Sequence, residues 1–264
     1  MSGFKDIADS LTHHDDGWHV SIADNWKQGR TLYGGITTGL CYEVAQREFK
    51  DLPPLRSCQI SFIGPVTDTP SLTAMKLRQG RNVTAIQVDM RIGDQSVAVA
   101  NLLFGQARPS TLTVEYAAPS VPAPEDTPLF IPKQVEALLP NYMLKFDTRL
   151  IDGHRPVTGA DQGYIRVWSR HKDDPLRGGV GSFLTLGDVL PPAALPMFRQ
   201  FSAVSSMNWQ INILDDKLST DDGWWHIETA LTAASDGYSS QVMRYWSRAG
   251  KLCAEAVQSV TIFS

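Results

Sequence analysis

Tyr33 to Phe49 reads YGGITTGLCYEVAQREF, the stretch on which the fold turns. Ile36, Leu40 and Val44 recur at helical spacing and Pro53-Pro54 forbids continuation, so the spacing predicts one helix of about four turns opened by a glycine pair. Short segments follow it: SCQISFIGPV from Ser57, SLTAMKLRQGR from Ser71, NVTAIQVDMRIGD from Asn82 and QSVAVANLLFG from Gln95. Each is rich in β-branched residues and bounded by Gly, Pro, Asn or Asp, the signature of a strand. In the third, Ile86, Val88, Met90 and Ile92 alternate with Gln87, Asp89 and Arg91, which predicts a sheet with one buried face.

The same order returns further along. Gly178-Gly179-Val180-Gly181 precedes SFLTLGDVL, and four strand-like segments follow: VSSMNWQINIL, WWHIETALTAASDG, YSSQVMRYWSRAG and KLCAEAVQSVTIF. Gly181 stands 147 positions after Gly34, and Ser205 stands 148 after Ser57. Gly237 and Gly250 each stand 157 after Gly80 and Gly93, the excess matching the polar insertion DDKLSTDDG before Trp224. The chain therefore reads as an internal duplication. Between the copies, AAPSVPAPEDTPLFIP carries Pro119, Pro122, Pro124, Pro128 and Pro132, which prevent a regular helix or central strand. The expected organisation is one unit over residues 1–116, a proline-rich linker over 117–140 running across the surface, and a second unit over 141–264.

Composition bounds the chemistry. The 264 residues are 42% hydrophobic and 20% charged, enough to bury a sizeable core, and the net charge of −4 gives no sequence-wide attraction to nucleic acid or to an anionic membrane. No apolar run approaches a membrane span, and MSGFKDIADSLTHHDDGW lacks the apolar core of a secretory leader. Cys41, Cys58 and Cys253 are odd in number and far apart, unlike a disulfide framework or a zinc site, so the expected location is the cytoplasm. His13-His14, His19 and His226 form no metal-binding spacing, and no metal or cofactor is expected. Seven tryptophans lack the basic interleaving of a single-strand platform and read as core packing.

A long helix followed by consecutive antiparallel strands suggests a sheet curled around a helix, the hotdog arrangement, although a pair of unrelated α+β sandwiches would share the pattern. Particular residues go further. YGG at Tyr33 to Gly35, LRQGRNVT at Leu77 to Thr84, and Ile92-Gly93-Asp94 before a strand ending in Phe104 resemble the type II acyl-CoA thioesterases, the TesB-like double hotdogs. So do Gly187-Asp188, Ser205-Ser206 and Ala256-Val257-Gln258 in the second copy. The resemblance covers nearly the whole chain. It implies an α+β double hotdog, hydrolysis of an acyl-CoA to the free acid and CoA without a cofactor, and a homo-oligomer. Two departures stand out: Ile36 occupies the place where the family often carries Gln after its glycine pair, and Ser206-Met207-Asn208-Trp209 lacks the family's acidic and His residues.

Thioester hydrolysis needs an activated water, donors for the developing oxyanion and an apolar slot. Asp188 lies in the apolar segment LTLGDVL, where a buried carboxylate is costly unless it is satisfied or used, and a solvent-facing place on an amphipathic helix is the plain alternative. The resemblance makes Asp188 the base, with Gln258 and Ser206 orienting the water. Ser205 has equal chemistry. Backbone donors at Gly35 and Ile36, at the helix start, are candidates for the oxyanion. Arg78 and Arg81, with Arg91 as a further candidate, could meet CoA phosphates or be solvated strand-end charges. Moving Gln258 back by 157 gives Asn101, and moving Asp188 back by 147 gives Cys41, so one complete site per chain is expected. A hotdog hydratase or dehydratase, with His154 in its chemistry, and a non-catalytic acyl-CoA binding protein are the alternatives.

Overall fold

The computed structural model describes residues 3–173 and 179–263, so Gly178 of the expected helix start lies outside the described residues. In chain order the elements are α1 (Phe4–Asp9), β1 (Thr12–His14), β2 (Gly17–His19), β3 (Lys27–Gln28), β4 (Thr31–Leu32), α2 (Gly34–Glu48), β5 (Leu55–Phe62), β6 (Ser71–Gln79), β7 (Val83–Ile92), β8 (Gln95–Gly105), β9 (Phe146–Gly153), β10 (Tyr164–His171), α3 (Val180–Gly187), β11 (Ala203–Ile213), β12 (Trp225–Ser235), β13 (Tyr238–Ser247) and β14 (Leu252–Phe263). All but β3 and β4 of these strands join one sheet in the order β1-β2-β6-β7-β8-β5-β11-β14-β13-β12-β10-β9. From the centre outward, β5-β8-β7-β6-β2-β1 on one side repeats as β11-β14-β13-β12-β10-β9 on the other. The duplication is thus one of topology, and the fold is an α+β double hotdog. The two copies join where β5 and β11 run antiparallel, from Ser57 opposite Asn212 to Ser61 opposite Asn208.

One face of this sheet is dry. Ile86, Val88 and Met90 of β7, Ala98, Ala100 and Leu102 of β8, and Trp209 and Ile211 of β11 are fully buried beneath the helices. Truncating a residue such as Trp209 would cost roughly 3–5 kcal/mol. Helices α2 and α3 lie back to back on that face, the start of α2 against the end of α3. The Tyr33 hydroxyl donates to the Thr185 carbonyl at 2.8 Å. A methyl group on Gly39 would stand 2.8 Å from the Gly181 carbonyl and from the Phe4 ring, so the crossing has room for a hydrogen only.

The proline-rich stretch is less free than a surface linker. Pro124, Thr127 and Phe130 are buried, the Phe130 N–H donates to the Thr148 carbonyl at 2.8 Å, and Trp168 Nε1 donates to the Pro122 carbonyl at 2.9 Å. Proline removes backbone donors and leaves carbonyls, and those carbonyls are what neighbouring strands bind. All three cysteines are free and buried, and burial pushes the Cys58 thiol up to about 12.

Candidate active site

Asp188 does not sit inside a helix. Helix α3 ends at Gly187, and Asp188 caps it at φ −96° and ψ 14°, because Pro191-Pro192 bars another turn. The cap turns the carboxylate toward the start of α2. There the Gly35 backbone N–H is directed at it, and a methyl group on Gly34 would stand 2.6 Å from Asp188 Oδ2 and 3.1 Å from the Phe62 ring. The first helical hydrogen bond of α2 runs from the Thr37 N–H to the Tyr33 carbonyl, so the amides of Gly34, Gly35 and Ile36 have no acceptor within the helix.

From below, Gln258 of β14 reaches the same carboxylate. Its Nε2 donates to Asp188 Oδ1 at 2.9 Å and to Ser206 Oγ at 3.0 Å. Ala254, Ala256 and Val260 share the inward face with Gln258, and their small size leaves the amide room beneath the helix end. Ser206 arrives through an irregularity: it pairs with Val260 while Asn208 pairs with Ser259, leaving Met207 as an extra residue in β11. This bulge lets Ser206 and Trp209 face inward together. Ser205 opposes Thr261 and is exposed, so the cluster contains Ser206 and excludes Ser205.

The cluster is nearly closed to solvent, with Asp188 9% exposed and Gln258 1% exposed. Burial pushes the Asp188 carboxyl up to about 7, against the opposing pull of the Gln258 and Gly35 donors. Tyr33, stacked on Tyr142 at a ring separation of 4.0 Å, and Tyr245 complete the wall, their hydroxyls pushed well above the ordinary range chiefly by burial. A carboxylate poised near neutrality beside fixed amide donors can take a proton from water and return it.

Two family models match the chain: residues 22–105 fit the acyl-CoA thioesterase N-terminal domain and residues 116–262 fit the acyl-CoA thioesterase C-terminal domain. The chain belongs to the acyl-CoA thioesterase family. Solved structures repeat the fold at low identity. A hot dog fold protein of Alicyclobacillus acidocaldarius is 20% identical with a TM-score of 0.87, covering 100% of this chain and 99% of that one. The acyl-CoA thioesterase II TesB2 of Mycobacterium marinum is 17% identical with a TM-score of 0.77, covering 99% of each chain. The dehydratase domain of RzxB from Pseudomonas fluorescens shares the fold at 12% identity and a TM-score of 0.55, covering 95% of this chain and 96% of that one. A comparison with curated proteins finds no match.

Within this thioesterase, other candidates lie apart from the cluster. His154 is exposed. Arg78 on β6 and Arg81 in the following turn are exposed, and neither has an ion pair among the described residues. Arg91 is already engaged with Asp89 at 2.8 Å and with Ser96 at 3.3 Å. The assignment of Asn101 as counterpart of Gln258 is corrected by its face: Asn101 points away from the helices and accepts from Gln87 at 3.2 Å, while Ala100 and Leu102 point inward. The cause is the hairpin. Ile92 and Gln95 pair across a two-residue turn, whereas Trp246 and Leu252 enclose five residues, so landmark glycines do not preserve strand register. Cys41 is buried in α2, and Gln241, missed in the sequence, donates to Gln258 Oε1 at 2.7 Å.

Proposed function

We propose that this thioesterase hydrolyses an acyl-CoA to the free acid and CoA with water activated by Asp188, and the observation that carries this is the buried carboxylate bonded to Gln258 at the start of α2. Gln258 engages Oδ1, leaving Oδ2 beside Gly34, where the absent side chain gives water and the thioester carbonyl access. Oδ2 takes one proton from water as its oxygen attacks the carbonyl carbon. With the Gly35 N–H held by Asp188, the resulting oxyanion meets the Ile36 backbone donor and the positive end of the α2 dipole, and Gly35 serves the carboxylate instead of the oxyanion. Collapse breaks the C–S bond, and the proton held by Asp188 passes to the CoA sulfur.

Gln258 serves as the orienting amide for Asp188, since both of its N–H bonds are engaged within the cluster. Ser206 steadies that amide. Arg78 and Arg81 supply cations for CoA phosphates. The division into units over 1–116 and 141–264 around a 117–140 linker, association of chains and a cytoplasmic location belong to the same proposal. Among the described residues no helix is long and apolar enough to cross a membrane.

The test is release of free CoA from a panel of acyl-CoAs. Gln258→Ala should lower kcat by about tenfold or more through loss of a hydrogen bond to a charged group, with the fold intact by circular dichroism. Full activity in that variant would overturn the role. Replacing Arg78 and Arg81 together should raise KM and spare kcat, and an unchanged KM would remove them from the CoA site.

A further inference from the structure

Gln241 of β13 is 1% exposed and sits directly opposite Gln258 across the β13–β14 pair. Its neighbours give it a direction. The Ala193 backbone N–H, which can only donate, ends on Gln241 Oε1 at 2.6 Å. The Gln241 amide therefore presents its NH2 on the other side, where Nε2 meets Gln258 Oε1 at 2.7 Å. That contact occupies the Gln258 carbonyl and leaves its NH2 for Asp188 and Ser206. The two ends of a primary amide have nearly the same shape, so packing does not decide which end faces the carboxylate. A one-way donor at the start of the chain of bonds does.

We propose that Gln241 is a positioning residue: it reads the polarity of the Ala193 amide and passes it to Gln258, so that the Gln258 NH2, and never its carbonyl, faces Asp188. With Gln258 reversed, two acceptors would confront each other unless Asp188 kept its proton. Reversal therefore favours the acid over the base. The titratable groups facing Asp188 are the hydroxyls of Tyr33 ahead of α2, Tyr142 from the segment before β9, and Tyr245 of β13, all kept neutral by burial. The proposal rests on Asp188 as the base of the thioesterase, but its test has a reading independent of activity.

Gln241→Met keeps the side-chain length and removes both amide functions. The midpoint of the pH–rate profile for CoA release should rise from about pH 7 to about pH 8. Turnover would then fall about fivefold at pH 7 and recover to within about twofold of wild type at pH 9, with KM unchanged. Gln241→Glu, which when ionised only accepts, should force the reversal and move the midpoint further. A role in packing alone would alter Tm without moving the midpoint. The Asp188 carboxyl titration, followed by carbon-13 NMR without substrate, should move in the same direction in both variants. A folded Gln241→Met protein with unchanged rate midpoint and unchanged NMR titration would overturn the assignment; should that variant not fold, Gln241→Glu carries the same test. If the NMR titration moves but wild-type protein releases no CoA, Gln241 keeps its positioning role and Asp188 loses its catalytic one.

Discussion

Replacing Asp188 by Asn should stabilise the protein at pH 8 and leave its stability nearly unchanged at pH 4. The folded carboxyl titrates at about 7 because burial raises it, whereas the unfolded chain titrates near the ordinary value of about 3.9. Below that lower value the group is protonated in both states and contributes no difference. Between the two values the folded protein holds a proton that the unfolded chain has released, so stability falls as pH rises, and the loss levels off above about 7. A gap of about three in pKa corresponds to roughly 4 kcal/mol at about 1.4 kcal/mol each. Asn avoids this cost, although its NH2 matches the Gly35 amide less well, so the net gain at pH 8 should be about 2–4 kcal/mol. Urea unfolding of both proteins at pH 4 and pH 8 measures it. Equal stabilities at both pH values would mean that Asp188 is not buried as an acid of raised pKa.

Other perturbations separate the remaining parts. Ser206→Ala should reduce turnover about threefold to tenfold while Ser205→Ala stays within about twofold, on the scale of one orienting hydrogen bond; the reverse order would place the bulge elsewhere. Gly34→Ala puts a methyl group 2.6 Å from Asp188 Oδ2 and 3.1 Å from the Phe62 ring, so kcat should fall about a hundredfold and Tm should fall with an overpacking cost of about 1–3 kcal/mol, and an active variant would show that the carboxylate works from another direction. His226, 1% exposed and stacked on Trp246 at 4.6 Å, is pushed down to about 4 by burial. The neutral ring therefore supports the fold fully above about pH 6.5, and up to about 3 kcal/mol is lost as pH falls toward 4. His226→Phe should blunt that acid limb in urea titrations, and an unchanged limb would assign it to other groups.

Much of the fold was legible because periodicity reports burial. The helix after Tyr33 and the four strands behind each helix follow from residues that must share one dry face, and the duplication follows from their repeated order. Strands β9 and β10 fall outside the repeated order of helix and four strands: YIRVWSR alternates, but the matching strands β1 and β2 of the first copy are only three residues each, too short to show a period. At the site, Gln258 was legible from its small apolar neighbours. Ser206 was legible only through the family resemblance: strict alternation from the buried Trp209 selects Ser205, and only the extra residue Met207 reverses the face. Asn101 failed for a related reason, since a longer hairpin shifts register while glycine landmarks stay aligned. Gln241 had a signal in YSSQVMRYW, a polar residue on the face of Met243 and Tyr245, but its partner Ala193 comes from a loop that no periodicity places.

The most direct test of the account is steady-state CoA release by wild type and Asp188→Asn at pH 8, on the acyl-CoA that wild type turns over fastest. Asn keeps the size of the side chain and can still accept from Gln258, but it cannot take a proton from water. The account predicts that kcat falls by roughly 10² or more, the scale of losing a general base, while KM stays within about threefold. Undiminished turnover by Asp188→Asn would contradict it.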